Sequence, residues 1–107
     1  MANELTDRLP IRIPLEDIAA FCAQNHICKL SLFGSVLRDD FTSESDVDVL
    51  VEFKPGKTPG LAIVQMAREL STLLDNRSID LRTPKELSRY FRDRVLAEAI
   101  ALYDKAR

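Results

Sequence analysis

Apolar residues recur at helical spacing in two parts of the chain. The first part is residues 15–25, and the second is residues 61–74, which follow a loop with two Pro-Gly dipeptides at residues 54–60. The apolar positions are Leu15, Ile18, Phe21 and Cys22 in the first part, and Leu61, Val64, Ala67, Leu70 and Leu74 in the second. Because this spacing gathers apolar side chains on one face, it predicts two amphipathic helices.

Three shorter apolar segments predict β-strands. Residues 27–33 form an apolar run that ends at Gly34, and residues 79–82 form a shorter one. Residues 46–53 give the clearest pattern, because valines at alternate positions are separated by Asp46, Asp48 and Leu50. Such alternation is typical of a strand with one face in the core.

The segment after the third strand begins with a helix signal. Thr83 suits the cap position, Pro84 suits the first helical position, and Glu86 completes a capping box. A helical pattern then continues to about Tyr103, as one helix or two, with no Gly or Pro to mark a break. The predicted order α-β-β-α-β-α indicates an α/β fold, a small mixed β-sheet flanked by helices.

Length and composition fit one small globular domain. Of the 107 residues, 46% are hydrophobic and 30% are charged, which is ordinary for a folded protein. We expect an extended arm over residues 1–14, which carry two prolines, and a single domain over residues 15–107. This length leaves no room for a separate acceptor-binding domain.

Charge and cysteine usage favour a cytoplasmic protein without direct nucleic-acid or membrane contacts. The net charge of -2 gives no general attraction to nucleic acid, so any anion site must be local. No apolar run approaches the ~20 residues that cross a bilayer, and the N-terminus lacks signal-peptide features. A disulfide between Cys22 and Cys28 is compatible with the sequence, but two free buried thiols in a reducing cytosol are the prediction.

Asp46 and Asp48 form the first candidate for a metal site. Residues two apart on a strand face the same side, so the two carboxylates repel each other unless a cation lies between them. Mg²⁺ prefers oxygen ligands and usually takes one or two carboxylates together with substrate phosphates. An exposed acidic strand with no metal is the alternative interpretation of this pair.

Gly34 and Ser35 form the second candidate, a phosphate site directly after a strand. The glycine permits close approach of the backbone to a ligand, and the next residues can offer N–H groups to an anion. The Ser35 hydroxyl and the Arg38 guanidinium can add hydrogen bonds and charge. A plain turn between two elements is the alternative.

Asp80 is the third carboxylate, on the short strand between Ile79 and Leu81. A strand beside the first two aspartates would bring Asp80 to the same metal ions, or let it act as general base for an attacking hydroxyl. Alternatively, Asp80 is an exposed aspartate paired with Arg82 or Arg77.

Together, these positions resemble the motif of the DNA polymerase β-like nucleotidyltransferase superfamily. Gly34-Ser35 is followed by ten residues, then by Asp46-Val47-Asp48, and later by Asp80 between apolar neighbours. The short chain resembles the minimal nucleotidyltransferase (MNT) branch over roughly residues 15–103. The resemblance implies that Asp46, Asp48 and Asp80 hold two Mg²⁺ ions, and that Gly34 and Ser35 hold the triphosphate of ATP.

The MNT branch also suggests a specific biological role. The chain resembles the antitoxins of HEPN/MNT toxin–antitoxin pairs, in which the MNT protein transfers AMP from ATP to a tyrosine of a HEPN ribonuclease toxin. This resemblance implies a HEPN-type partner and a hetero-oligomer with it. Two alternatives remain open: an antitoxin that masks its partner without chemistry, and a small-molecule nucleotidyltransferase, which the short chain disfavours.

Residues 89–94 combine basic and aromatic side chains and lie outside the motifs described above. The basic residues are Arg89, Arg92 and Arg94, and the aromatic ones are Tyr90 and Phe91. The sequence favours a solvated helix face over aromatic residues that belong to the core. The alternative is a docking surface for an acidic partner.

Overall fold

The computed structural model of the protein describes residues 9–105, which form a four-stranded sheet and three α-helices. The helices are α1 (Leu15–Gln24), α2 (Ala62–Leu73) and α3 (Arg92–Glu98), and the strands are β1 (Ile27–Phe33), β2 (Val47–Phe53), β3 (Ile79–Arg82) and β4 (Ile100–Asp104). Two 3₁₀ helices, Gly34–Leu37 and Pro84–Glu86, follow β1 and β3.

The sheet is mixed, as predicted. Its strand order is β3-β2-β1-β4. Strand β1 pairs antiparallel with both β2 and β4, whereas β2 and β3 run parallel. The parallel pair needs a crossover connection, and helix α2 supplies it. The predicted α/β fold is therefore confirmed.

The alternating pattern of β2 explains how the sheet presents polar groups at one place. Val47, Val49 and Val51 are fully buried, so the opposite face of the strand carries Asp48. Helices α1 and α2 pack against the same core. The apolar face predicted for α2 was wrong at its start, because Leu61 is 91% exposed and Val64 is 55% exposed, and Met66 is buried instead. The core residues include Ile18, Phe21 and Cys22 of α1, Leu30 and Leu32 of β1, and Met66 and Leu70 of α2.

The prediction of helix up to Tyr103 was wrong. Helix α3 ends at Glu98, and the chain then forms β4, which pairs with the edge of β1 that β2 leaves open. Pairing satisfies the backbone groups of that edge, and Leu102 and Tyr103 pack against the core. Tertiary context thus overrides the local helical pattern.

The capping box predicted at Thr83 is present, but it begins a single turn rather than a long helix. The Thr83 N–H donates to Glu86 Oε1 at 2.9 Å, and the Glu86 N–H donates to the Thr83 carbonyl oxygen at 3.0 Å. The 3₁₀ helix ends at Glu86, and Leu87 takes an extended conformation.

The predicted arm lies partly outside the described residues, since these begin at residue 9. Residues 9–14 contain neither helix nor strand, and Ile11 is buried among the core residues. Leu9 and Ile13 also pack against the core. The division into an arm and a domain stays a prediction.

The cysteines are free thiols, as predicted, although only one of them is fully buried. Cys22 on α1 lies in the hydrophobic core, and burial raises the pKa of its thiol to about 12. Cys28 on β1 is half-buried rather than buried. Within residues 9–105, no helix has the length and apolar content needed to cross a bilayer.

Candidate active site

The three predicted aspartates lie together at one end of the β2–β3 pair. Asp46 directly precedes β2 and is exposed, whereas Asp48 on β2 and Asp80 on β3 are half-buried. In the parallel ladder, Asp48 is the register partner of Asp80. Because paired residues of adjacent strands face the same side, both carboxylates open onto one surface.

Asp48 is the electrostatic centre of this group. Its pKa is raised, first by burial and then by the negative charges of Asp80 and Asp46. The Arg82 guanidinium and a hydrogen bond from the Ser35 N–H act in the opposite direction. The ionised form of Asp48 is thus held in a place that disfavours it, as expected where a cation is to be bound.

Asp80 has a protein partner of its own. The Arg82 Nε donates to Asp80 Oδ2 at 3.2 Å, which is the pairing that the alternative interpretation anticipated. Arg77 takes no part, because its guanidinium lies 5.5 Å from the ring centre of Phe41. The Arg82 contact is partly exposed, and exposed ion pairs contribute little, so a ligand can compete for this oxygen.

Gly34 is required by the position of Asp48. Its φ is +76°, which favours glycine, and a Cβ atom at this position would overlap Asp48 Oδ2. Asp48 and Phe33 are register partners across β1 and β2, so the glycine follows directly beside the carboxylate. The glycine of the Gly-Ser motif therefore makes room for an acidic side chain as well as for a ligand.

The backbone after Gly34 is less open than the sequence suggested. The Ser35 N–H donates to the Asp48 carboxylate, so this group is already engaged. Arg38 is exposed, and its Nε lies 3.7 Å from Asp40 Oδ1. The Ser35 side chain and the Arg38 guanidinium remain the predicted groups for a phosphate.

The donor set fits a hard cation shared with a substrate rather than a closed metal cage. Within residues 9–105, no three His, Cys, Asp or Glu side chains are grouped closely enough to hold a metal ion between them. The carboxylates of Asp46, Asp48 and Asp80 are oxygen donors, and Mg²⁺ commonly binds through one or two such groups plus phosphate oxygens and water. An ion at this edge would thus need ligands from the nucleotide.

A cavity of about 280 Å³ lies beside Gly34, and sequence reasoning missed it. It is lined by Phe33, Gly34, Arg38, Phe91, Arg94, Val95 and Glu98. The prediction that the aromatic residues of segment 89–94 belong to the core was wrong, because Tyr90 is 87% exposed and Phe91 is 51% exposed. The density of arginine and aromatic residues was the available signal.

Comparison with known proteins gives one family and several related folds. The family described as polymerase beta, nucleotidyltransferase matches residues 16–107. A protein of Methanocaldococcus jannaschii named "Putative protein adenylyltransferase" is 36% identical over 72 residues, which cover 67% of this chain and 75% of that protein.

Solved structures agree with this relationship. A structure described as a "putative minimal nucleotidyltransferase" has a TM-score of 0.67 and 32% identity, and covers 80% of this chain and 86% of that one. A "toxin-antitoxin with AMP-PNP" shares the fold at a TM-score of 0.69 and 21% identity, over 88% of this chain and 76% of that one. The chain therefore belongs to the polymerase β nucleotidyltransferase family and is a nucleotidyltransferase.

Proposed function

We propose that this protein transfers AMP from ATP, with Mg²⁺, to a tyrosine hydroxyl of a partner HEPN ribonuclease toxin, and so acts as its antitoxin. The observation that carries the proposal is the arrangement around Asp48, which lies between the charges of Asp46 and Asp80 and against Gly34. A structural aspartate gains nothing from two acidic neighbours, whereas a cation and a triphosphate would balance them.

In the proposed reaction, the acceptor hydroxyl oxygen attacks the α-phosphorus of ATP. A new phosphorus–oxygen bond forms, the bond to the β-phosphate oxygen breaks, and pyrophosphate leaves with that electron pair. Asp80 takes the hydroxyl proton, using the carboxylate oxygen that Arg82 does not hold or displacing Arg82. Mg²⁺ ions held by Asp46, Asp48 and Asp80 would supply charge stabilisation at the phosphate oxygens.

The positions of the other proposed residues suit the nucleotide. Gly34 lies beside Asp48, so a triphosphate that shares a cation with Asp48 would run close to the Gly34 backbone. In this proposal, the Ser35 hydroxyl and the Arg38 guanidinium bind phosphate oxygens. Arg38 is exposed and its contact with Asp40 is long, so its release costs little.

The choice of a protein acceptor has two supports. The M. jannaschii relative is named as a protein adenylyltransferase, and several structures that share the fold are toxin–antitoxin complexes. In this proposal, the partner protein presents its own hydroxyl as the acceptor.

One observation favours the alternative in which the protein masks its partner. Tyr90, Phe91 and Leu96 are exposed apolar side chains, and Arg89 stacks on Tyr90 at 5.6 Å. Exposed aromatic and arginine residues are frequent at protein interfaces. Docking and transfer are compatible with each other, so the masking proposal differs only in needing no chemistry.

Labelled ATP tests the proposal directly. The purified protein, Mg²⁺ and the HEPN-type protein proposed as its partner are incubated with ATP labelled either at the α- or at the γ-phosphate. AMP transfer predicts that only the α-label becomes attached to the partner. Transfer of the γ-label would indicate phosphorylation, and labelling by neither would contradict an AMP-transferring enzyme of this partner.

A further inference from the structure

The cavity beside Gly34 shares a wall with the aspartate site. One side of Gly34 lines the cavity, and a Cβ atom on this residue would overlap Asp48 Oδ2. Asp80 lies on the far side of Asp48, because the strand order is β3-β2-β1. Gly34 therefore joins the two places, because it lies against Asp48 and also lines the cavity.

The charged residues around the cavity come from two distant parts of the sequence. Arg38 follows the 3₁₀ helix after β1, and Arg94 lies on α3. Glu98 is the acidic residue of the lining, and the Arg94 Nε lies 3.1 Å from Glu98 Oε1. Both members of this pair are largely exposed, so the pair is weak and Arg94 can turn to a stronger anion.

We propose that Arg94, together with Arg38, binds the β- and γ-phosphates of the nucleotide in this cavity. The inference rests on the proposed function, since it assumes that the α-phosphate lies at the aspartates. The aspartate end of the site is acidic and the chain has a net charge of -2, so the terminal phosphates need local cations. Two guanidinium groups from separate elements supply them.

The charged residues of the cavity favour phosphates over the adenine base. Its lining carries two guanidinium groups, which match phosphate oxygens in shape and charge. Phe33 and Phe91 also line the cavity, so stacking of the base on these rings is the competing outcome that the experiment must separate.

Nucleotides of different phosphate number separate these outcomes. Isothermal titration with Mg²⁺ and ATP, ADP or AMP, without acceptor, is compared for wild type and Arg94→Gln. We expect Arg94→Gln to weaken ATP binding on the order of tenfold, because hydrogen bonds to charged groups are strong, and to leave AMP binding unchanged. Arg89→Gln is the matched control, since this neighbouring arginine does not line the cavity.

Glu98→Gln is a second variant, and it should change the affinity for ATP in the opposite direction. Glu98→Gln removes a charge that repels phosphate and competes for Arg94, so ATP should bind more tightly while AMP is unaffected. Thermal melting of each variant checks the fold, which should persist because both side chains are exposed.

Three results would overturn the inference. One is unchanged ATP affinity in Arg94→Gln, and another is an equal loss for ATP and AMP, which would indicate the base or ribose at this place. The third is wild type that binds no nucleotide, which would also remove the proposed function. In the first two cases ATP still binds and is transferred by wild type, so the proposed function survives.

Discussion

Asp48 on β2 and Asp80 on β3 are register partners in a parallel ladder, and each adds to the negative charge around the other. Adjacent strands lie about 4.8 Å apart, so facing carboxylates at this register repel each other. The protein retains both, and Gly34 leaves space for one of them. This relationship is the physical basis of the proposed metal-dependent reaction.

Asp48→Asn should stabilise the metal-free protein and abolish transfer. The folded-state pKa of Asp48 is raised, so its ionisation opposes folding. This destabilisation is absent when the pH is below the ordinary aspartate pKa of about 3.9. It is complete when the pH is above the raised pKa of the folded state. In EDTA, the melting temperature of the variant should exceed that of wild type by a few degrees at pH 7, and the gain should vanish as the pH falls.

Mg²⁺ and ATP supply the complementary measurement. Wild type should gain thermal stability when both are added, whereas Asp48→Asn should gain much less, because its ligand for the cation is lost. An Asn variant that is less stable than wild type at pH 7 without metal would contradict the account of Asp48. Full transfer activity in a variant with both Asp46→Asn and Asp48→Asn would contradict the metal proposal.

Gly34→Ala and Gly56→Ala form a matched pair. Both glycines have positive φ, +76° and +75°, so an alanine costs about 1–2 kcal/mol of backbone strain at either position. Only Gly34 lies against Asp48, whereas a Cβ at Gly56 meets nothing within 4 Å. Melting curves should therefore show a larger loss of stability for Gly34→Ala, because its Cβ also displaces the Asp48 side chain. Nucleotide titrations should show loss of ATP binding for Gly34→Ala alone. Equal ATP affinity in the two variants would reduce Gly34 to a turn residue.

Ser35→Ala isolates the hydroxyl of the proposed phosphate site. The alanine keeps the N–H that donates to Asp48, so the aspartate should remain in place. Loss of one hydrogen bond to a charged group costs about 1.5–3 kcal/mol, which is roughly ten- to hundredfold in the Kd for ATP. The melting temperature without nucleotide should stay close to that of wild type. An unchanged Kd would exclude the hydroxyl from phosphate binding.

Leu102→Ala tests whether residues 100–104 form a strand that packs on the core. Leu102 on β4 packs against the core, so its truncation should lower the free energy of unfolding by about 1–2 kcal/mol, less than for a fully buried leucine. Leu96 on α3 is 43% exposed, and Leu96→Ala should change stability by less than about 0.5 kcal/mol. Urea titrations measure both. A larger cost at Leu96 would contradict the placement of β4.

Most of the fold follows from local patterns, but its C-terminal part does not. The valine alternation in β2, the apolar face of α1 and the last part of the apolar face of α2 are visible in the sequence, because each of these has one buried face. Leu96, Ile100 and Tyr103 are spaced four and three residues apart, which suits a helix equally well. The open edge of β1 decides in favour of a strand, and no local pattern reports that edge.

The candidate site, like the fold, was predicted only in part from the sequence. The spacing from Gly34-Ser35 to Asp46 and Asp48 predicted a cluster, and the register of β2 with β3 brings Asp80 to it. The Ser35 N–H bond to Asp48 and the cavity at Arg94 depend on segments that are far apart in the sequence. Such contacts arise only when the whole sheet has formed, so the sequence can indicate that residues 89–94 are unusual but not what they lie beside.

Intact mass spectrometry of the partner toxin tests the central claim most directly. The toxin is co-expressed with wild type or with Asp80→Asn, a change at a half-buried residue of β3. Both proteins should co-purify with the toxin. The account predicts that toxin from the wild-type co-expression carries the mass of one or more AMP groups, and that toxin from the Asp80→Asn co-expression carries none and remains toxic once released. Equal protection by both proteins, with a toxin of unmodified mass, would contradict the account and leave masking as the function.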